Sequence, residues 1–213
     1  MNMRGIAAKK DFIIVSIVGV IFGLFATPVL ENIELPQWES NFINISALVL
    51  GFVAFANIAL WIAGLVGRKI PAVWQFSKYA AIGAMNAALD LGIFNFLSLT
   101  FQVFSGPALL VLNTVSFMTA VTNSYFWNTF WSFKTESVAG ASVSVAKYGK
   151  FLGVTVVGLA INSLIVYVIT TLIAVPGNFT PGQWENVAKL SAVIPNLIWN
   201  FLGYKFFIFK PRS

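Results

Sequence analysis

Apolar residues gather in six long runs, at about 12–30, 43–66, 76–101, 107–133, 148–174 and 186–209, with polar residues between them. A helix needs about 20 mostly apolar residues to cross a hydrocarbon core about 30 Å thick. The pattern therefore predicts six transmembrane helices. The first run is long for the apolar part of a signal peptide, and no small-x-small cleavage site follows it. The connections carry turn chemistry. Residues 31–42 hold Glu31, Glu34 and Glu39, and Gly67-Arg68-Lys69-Ile70-Pro71 is a basic turn. Ser105-Gly106-Pro107 places proline at the first position of a helix. Residues 134–147 are small and polar, and residues 175–185, punctuated by Pro176, Gly177, Pro181 and Gly182, read as a loop. Pro195 marks a kink in the sixth helix.

Composition agrees with this reading. The 213 residues are 58% hydrophobic and 9% charged, with a mean hydropathy of +0.84. A soluble domain carries roughly 25% charged residues, so the chain reads as an all-α integral membrane protein. Cysteine and histidine are absent, which removes thiolate nucleophiles, a histidine base and the usual zinc ligands. No metal site and no cofactor is expected.

Thirteen Lys and Arg stand against seven Asp and Glu, a net charge of +6. All the bases except Lys189 fall in segments 1–11, 67–78, 134–150 and 205–213. That distribution points to topology and lipid headgroups rather than nucleic acid. The positive-inside rule places both termini in the cytoplasm, and six crossings satisfy that parity. Lys189 alone falls near the opposite side. Trp38 and Trp184 suit the outer aromatic belt, Trp74 and Trp131 the inner one.

One acid lies inside a long apolar run. In FSKYAAIGAMNAALD (76–90), Lys78 marks the membrane edge and Asp90 follows it by a depth of about 18 Å at 1.5 Å per residue. A carboxylate near mid-bilayer is costly and marks a functional site by default. Asn86, four residues earlier, shares its helix face. Gly19 and Gly23 make a GxxxG step able to pack a second helix, although glycine is common in membrane helices.

The last four helices read as two copies of one hairpin, about 76–134 and 148–210. FSKYAAIGAMNAALD aligns with YGKFLGVTVVGLAIN (148–162), pairing Lys78 with Lys150 and Asp90 with Asn162. SYFWNTFWSFK (124–134) aligns with NFLGYKFFIFK (200–210), pairing Lys134 with Lys210. Both copies enter from one side, as in a parallel repeat. The lysine-aromatic-glycine opening with Asn86 and Asp90, the ending Asn128-x-x-Trp131-x-Phe133 and its second version from Asn200 to Phe209 resemble the GtrA-like family of small four-helix membrane proteins. The resemblance covers about residues 76–210. It divides the chain into an N-terminal transmembrane hairpin, 1–70, and a GtrA-like four-helix domain, 71–213. The family often has an arginine after the motif asparagine; here Thr129 and Lys205 stand at those places.

The resemblance implies a partner, a polyprenyl-phosphate-linked sugar or its carrier lipid, and a task in making envelope polysaccharides or glycoconjugates in a prokaryotic cytoplasmic membrane. Members are thought to move such lipids across the membrane, or to hold the glycosyltransferase that makes them. The residues suit that ligand. Lys78, Lys134, Lys150, Lys205 and Lys210 are candidates for the lipid phosphate, since lysine binds phosphate as a point charge; setting topology on anionic membrane lipids is the plainer role. Asn86, Asp90, Asn128, Asn162 and Asn200 are candidates for a polar path along the sugar. The many Ser and Thr of the fourth helix read as packing glue between helices.

Three readings follow. The first is a protein that binds and translocates the lipid-linked sugar, with a homodimer as a candidate assembly. The second is a non-catalytic anchor for a separate glycosyltransferase. The third is a proton-coupled transporter of a small solute using Asp90. An enzyme is disfavoured: there is no acid/base pair in the membrane, no DxD-like metal pair and no glycine-rich phosphate loop.

Overall fold

The computed structural model describes residues 7–127, 131 and 145–203. Among them are six α-helices and no strand: α1 (Lys9–Asn32), α2 (Phe42–Gly67), α3 (Pro71–Phe101), α4 (Gly106–Trp127), α5 (Val145–Tyr167) and α6 (Pro181–Gly203), with a π-helical turn, Val168–Leu172, closing α5. Four are long and apolar enough to cross a membrane: α1, α2, α3 from Phe76, and α5 from Gly153 through its π turn. The chain is an integral membrane protein.

Several helix ends lie away from the expected places, for local reasons. The third helix starts at Pro71 rather than Phe76, because proline at the first position has no N–H to leave unpaired. The sixth starts at Pro181, where the sequence read as a loop. Thr180 Oγ1 accepts from the Gln183 N–H at 3.2 Å, and Gln183 Oε1 accepts from the Thr180 N–H at 3.0 Å. This reciprocal capping box sets Pro181 and Gly182 as the opening turn of a helix and makes Glu185 helical. The fifth helix stops short of residue 174: after the π turn, Ile173 is extended, with φ −105° and ψ 124°. Pro195 lies inside α6.

Cross-helix contacts fix the directions. Asn57 of α2 donates to Ser16 of α1 at 2.9 Å, while Gly23 faces Val49, so α1 and α2 are antiparallel. Asn86 with Asn123 and Asp90 with Ser116 set α3 against α4. Asn113 with Ser163 sets α4 against α5, and Trp199 with Val154 and Trp184 with Ile169 set α5 against α6. Helix α1 runs parallel to α3, meeting it near Lys78 at one end and near Asn95 and Ser98 at the other. Lys78 therefore lies at one end of the bundle, the basic end, and Asn32 and Pro181 at the other, the far end.

Three apolar layers stack along α3. Ile82 packs with Val15, Leu60 and Trp131; Met85 and Leu89 pack with Val18 and Ala120; Phe94 packs with Leu109, Val166 and Ala192. The outward faces are apolar too, with Phe42, Ile43, Leu50 and Phe55 of α2 exposed, as a lipid environment requires.

Small residues bring α1 close to its neighbours. A Cβ on Gly19 would come within 2.7 Å of Val53 Cα, and one on Gly23 within 2.6 Å of Val49 Cα. The GxxxG step is thus a packing site for α2, not background composition. On the other side of α1, a Cβ on Gly92 of α3 would collide with the Phe25 backbone. Nothing lies within 4 Å of a Cβ on Gly51. Gly92→Leu should therefore lower stability by about 1–3 kcal/mol through overpacking, while Gly51→Leu should leave it unchanged. Thermal unfolding of the two variants in detergent checks this; equal melting temperatures would contradict the α1–α3 contact.

Candidate functional site

Asp90 is paired. Its Oδ1 lies 2.7 Å from Lys189 Nζ of α6 and accepts from Ser116 Oγ of α4 at 2.7 Å. The Lys189 ammonium is also 3.4 Å from Ser116 Oγ and sits 4.8 Å from the centre of the Phe94 ring. Lys189 is 1% exposed, whereas the Asp90 side chain keeps 20% of its surface. The pair is therefore fixed by the buried lysine and open on the carboxylate side. Lys189 lies toward the end opposite Lys78, but it is buried rather than exposed there. Once α6 begins at Pro181, Lys189 is more than two turns inside the helix and faces α3.

One turn before Lys189 on α6 is Glu185, fully buried. Its Oε1 accepts from Asn32 Nδ2 and from Ser98 Oγ, the latter at 2.5 Å. Asn95 and Asn186 exchange side-chain bonds at 2.6 and 3.0 Å, and Asn32 Nδ2 also donates to Asn95 at 2.6 Å. Asp90, Asn95 and Ser98 on α3, Ser116 on α4, Glu185, Asn186 and Lys189 on α6, and Asn32 at the end of α1 thus form one polar core in an apolar bundle. The Oε2 of Glu185 and the Oδ1 atoms of Asn113, Asn162 and Asn196 are buried without a partner among the described residues.

Nearer the basic end, Asn86 accepts from Asn123 at 2.7 Å, and Asn123 in turn accepts from Trp127 Nε1 at 3.1 Å. Asn123 also borders a shallow groove on α4 of about 530 Å³, lined by Met118, Thr119, Thr122 and Phe126. At the basic end itself, Lys78 Nζ is 3.0 Å from Asp11 Oδ1 and lies 4.8 and 5.5 Å from the Trp74 and Trp131 ring centres. Trp131 Nε1 donates to the same carboxylate oxygen at 2.9 Å, and Asp11 Oδ2 accepts from the Ala8 N–H at 2.9 Å. Trp131 is therefore buried against an ion pair rather than displayed in an aromatic belt.

Of the predicted residues, Asp90 and Asn86 join polar clusters, Asn162 is buried on α5, and Lys78 is held by Asp11. Lys134, Lys205, Lys210 and Asn128, and the side chains of Lys150 and Asn200, lie outside the described residues. Thr114, Thr119, Thr122 and Ser191 donate to the carbonyl four residues back on their own helix rather than across to a neighbour. Sequence reasoning missed Lys189, Glu185, Asn32, Asn95, Ser98 and Asp11. The capping box at Thr180 and Gln183 was the available signal for Glu185 and Lys189, and Asn95 and Ser98 follow Asp90 on the same helix.

This arrangement defines a polytopic helical membrane protein with an ion pair buried between its helices. A family model described as GtrA/DPMS, transmembrane domain, matches residues 78–209. The chain belongs to that family, whose members take part in handling polyprenyl-phosphate sugars in the membrane. It is 26% identical over 132 residues to the uncharacterized membrane protein YngA of Bacillus subtilis strain 168, covering 62% of this chain and 77% of that protein. No solved structure matches it. Asp90, Glu185 and Lys189 fall inside the matched segment, whereas Asp11 and Asn32 do not.

Lys189 and Asp90 hold each other between α3 and α6, so removing either partner leaves the other uncompensated. Removing one partner of a buried pair costs roughly 3–5 kcal/mol. Asp90→Asn should cost at least as much as Lys189→Met, because it strands the more deeply buried charge. The double variant should be less destabilised than the sum of the two, since the pair is removed together. Unfolding of the four-membered mutant cycle in detergent tests this; strict additivity would show that the two side chains do not interact.

Proposed function

We propose that the protein binds a polyprenyl-phosphate-linked sugar, or its spent carrier, and translocates it across the membrane without catalysing a covalent step. The observation that carries this reading is the Asp90–Lys189–Ser116 cluster, inside the family-matched segment. It gives hydroxyl groups donors and acceptors in the middle of an apolar bundle, with the carboxylate on its open side. The amide oxygens of Asn113, Asn162 and Asn196, without a partner among the described residues, add acceptors of the kind sugar hydroxyls satisfy. Asn86 and Asn123 continue the polar face toward the basic end, beside the groove on α4.

In this reading all six helices cross the bilayer, α3–α4 and α5–α6 are the two repeats, and α1–α2 is an additional hairpin packed on α3. The basic end faces the cytoplasm of a prokaryotic cell. Lys78, Lys134, Lys150, Lys205 and Lys210 supply charge for the phosphate at that level. Asp11 occupies Lys78 when no phosphate is bound, so the phosphate competes with a carboxylate for that lysine.

The test uses purified protein in liposomes carrying a labelled polyprenyl-phosphate sugar, following the headgroup's accessibility from outside. A hydrogen bond to a charged group contributes about 1.5–3 kcal/mol, and 1.4 kcal/mol is about a factor of ten. Asp90→Asn should slow flipping about tenfold or more, and Ser191→Ala should not change it. No protein-dependent flipping, with labelled lipid still bound, would favour the alternative of a membrane anchor for a glycosyltransferase.

A further inference from the structure

Three ionisable side chains meet in the polar core, and their charges do not balance. Asp90 and Glu185 bring two carboxylates and Lys189 one ammonium. Lys189 Nζ is in contact with Asp90. Helix α1 turns the amide of Asn32 to Glu185 and α3 turns Ser98, while Glu31 and Glu34 at the same end are exposed. An ionised Glu185 would leave one net negative charge in the core. An isolated buried carboxylate is costly enough that such groups normally pair or take up a proton.

The hydrogen bonds show how the imbalance is met. Glu185 Oε1 is filled by donors from Asn32 and Ser98, but Oε2 is fully buried with no donor among the described residues. A deprotonated oxygen there would lack any compensation, whereas a carboxylic acid carries its own hydrogen at that position. A metal ion suits the place poorly. Oε1 is already committed, the Asn95 oxygen already accepts from both Asn32 and Asn186, and an ammonium stands one helical turn away.

We propose that Glu185 is an exchangeable proton-binding site whose protonation decides how tightly Lys189 holds Asp90. With the proton on Oε2, Lys189 belongs to Asp90 alone. Loss of that proton to water at the far end, where α6 begins, leaves two carboxylates competing for one ammonium and loosens Asp90. The N-terminal hairpin takes part through Asn32, which lies outside the family-matched segment. The link to Asp90 rests on the translocation reading, but the proton site does not.

Infrared spectroscopy of the purified protein in lipid, titrated without substrate, tests the site apart from transport. The wild type should show a protonated carboxyl carbonyl band that is lost as pH rises between about 5 and about 9. Glu185→Gln should abolish the band, and Asp90→Asn should move its loss to lower pH, because Lys189 is then free to pair with the ionised Glu185. Labelling glutamate carboxyls with carbon-13 should shift it, a result that does not depend on any variant folding. A band absent throughout, unmoved by glutamate labelling, or retained in Glu185→Gln would overturn the proposal. A band that persists through about pH 9 would do so as well, because the proton would not exchange.

Discussion

The contact between Lys189 and Asp90 constrains the rest of the bundle. An ammonium withdrawn from water inside an apolar assembly is tolerated only with a partner and with its remaining hydrogens satisfied. That need pulls α6 against α3 and requires Ser116 of α4 to close the third side. It also limits which residues can flank the pair, since a hydroxyl or amide at each neighbouring position must find its own bond. Asn95, Asn186, Ser98 and Asn32 meet that requirement by bonding one another. The lysine therefore fixes the registers of helices far apart in sequence, and does so more specifically than the apolar layers, which tolerate sliding.

The N-terminal hairpin belongs to this arrangement although it falls outside the family match. Helix α1 lies along α3 and touches polar groups at both ends, with Asp11 on Lys78 and Asn32 on Glu185. Its small residues at Gly19 and Gly23 let α2 approach closely on one side, and Gly92 lets α1 approach α3 on the other. An added hairpin that only lengthened the membrane anchor would need none of these. Placing a carboxylate beside Lys78 and an amide beside the buried glutamate alters the electrostatics at both ends of α3.

Much of this was legible in the sequence, and the failures have physical causes. The six apolar runs predicted six helices because hydrophobicity over a long window is insensitive to local detail. Asp90 stood out because it is a lone charge in such a run. Its partner did not. Counting bases by side treats every lysine as a surface charge, and Lys189 became an interior one when a capping box moved the helix start upstream to Pro181. Glu185 was lost in the same way, inside a segment whose prolines and glycine look like loop punctuation. Asn32 was hidden because a helix end has no pattern that reports which neighbour it meets. Pairing across 99 residues, as between Asp90 and Lys189, leaves no local trace.

A core of one base and two acids differs from a simple buried salt bridge in what it can do. A balanced pair is a fixed dipole, and its main consequence is specificity of packing. An odd number of charges needs a further proton or ion, so the core has two states of different charge and a ligand can favour one of them. A phosphate-bearing lipid arriving at the basic end and a proton at the far end would act on opposite ends of α3, linked by a side chain that both carboxylates attract. Polar residues spaced along one helix can in this way serve both as a path for hydroxyl groups and as an electrostatic connection between its ends.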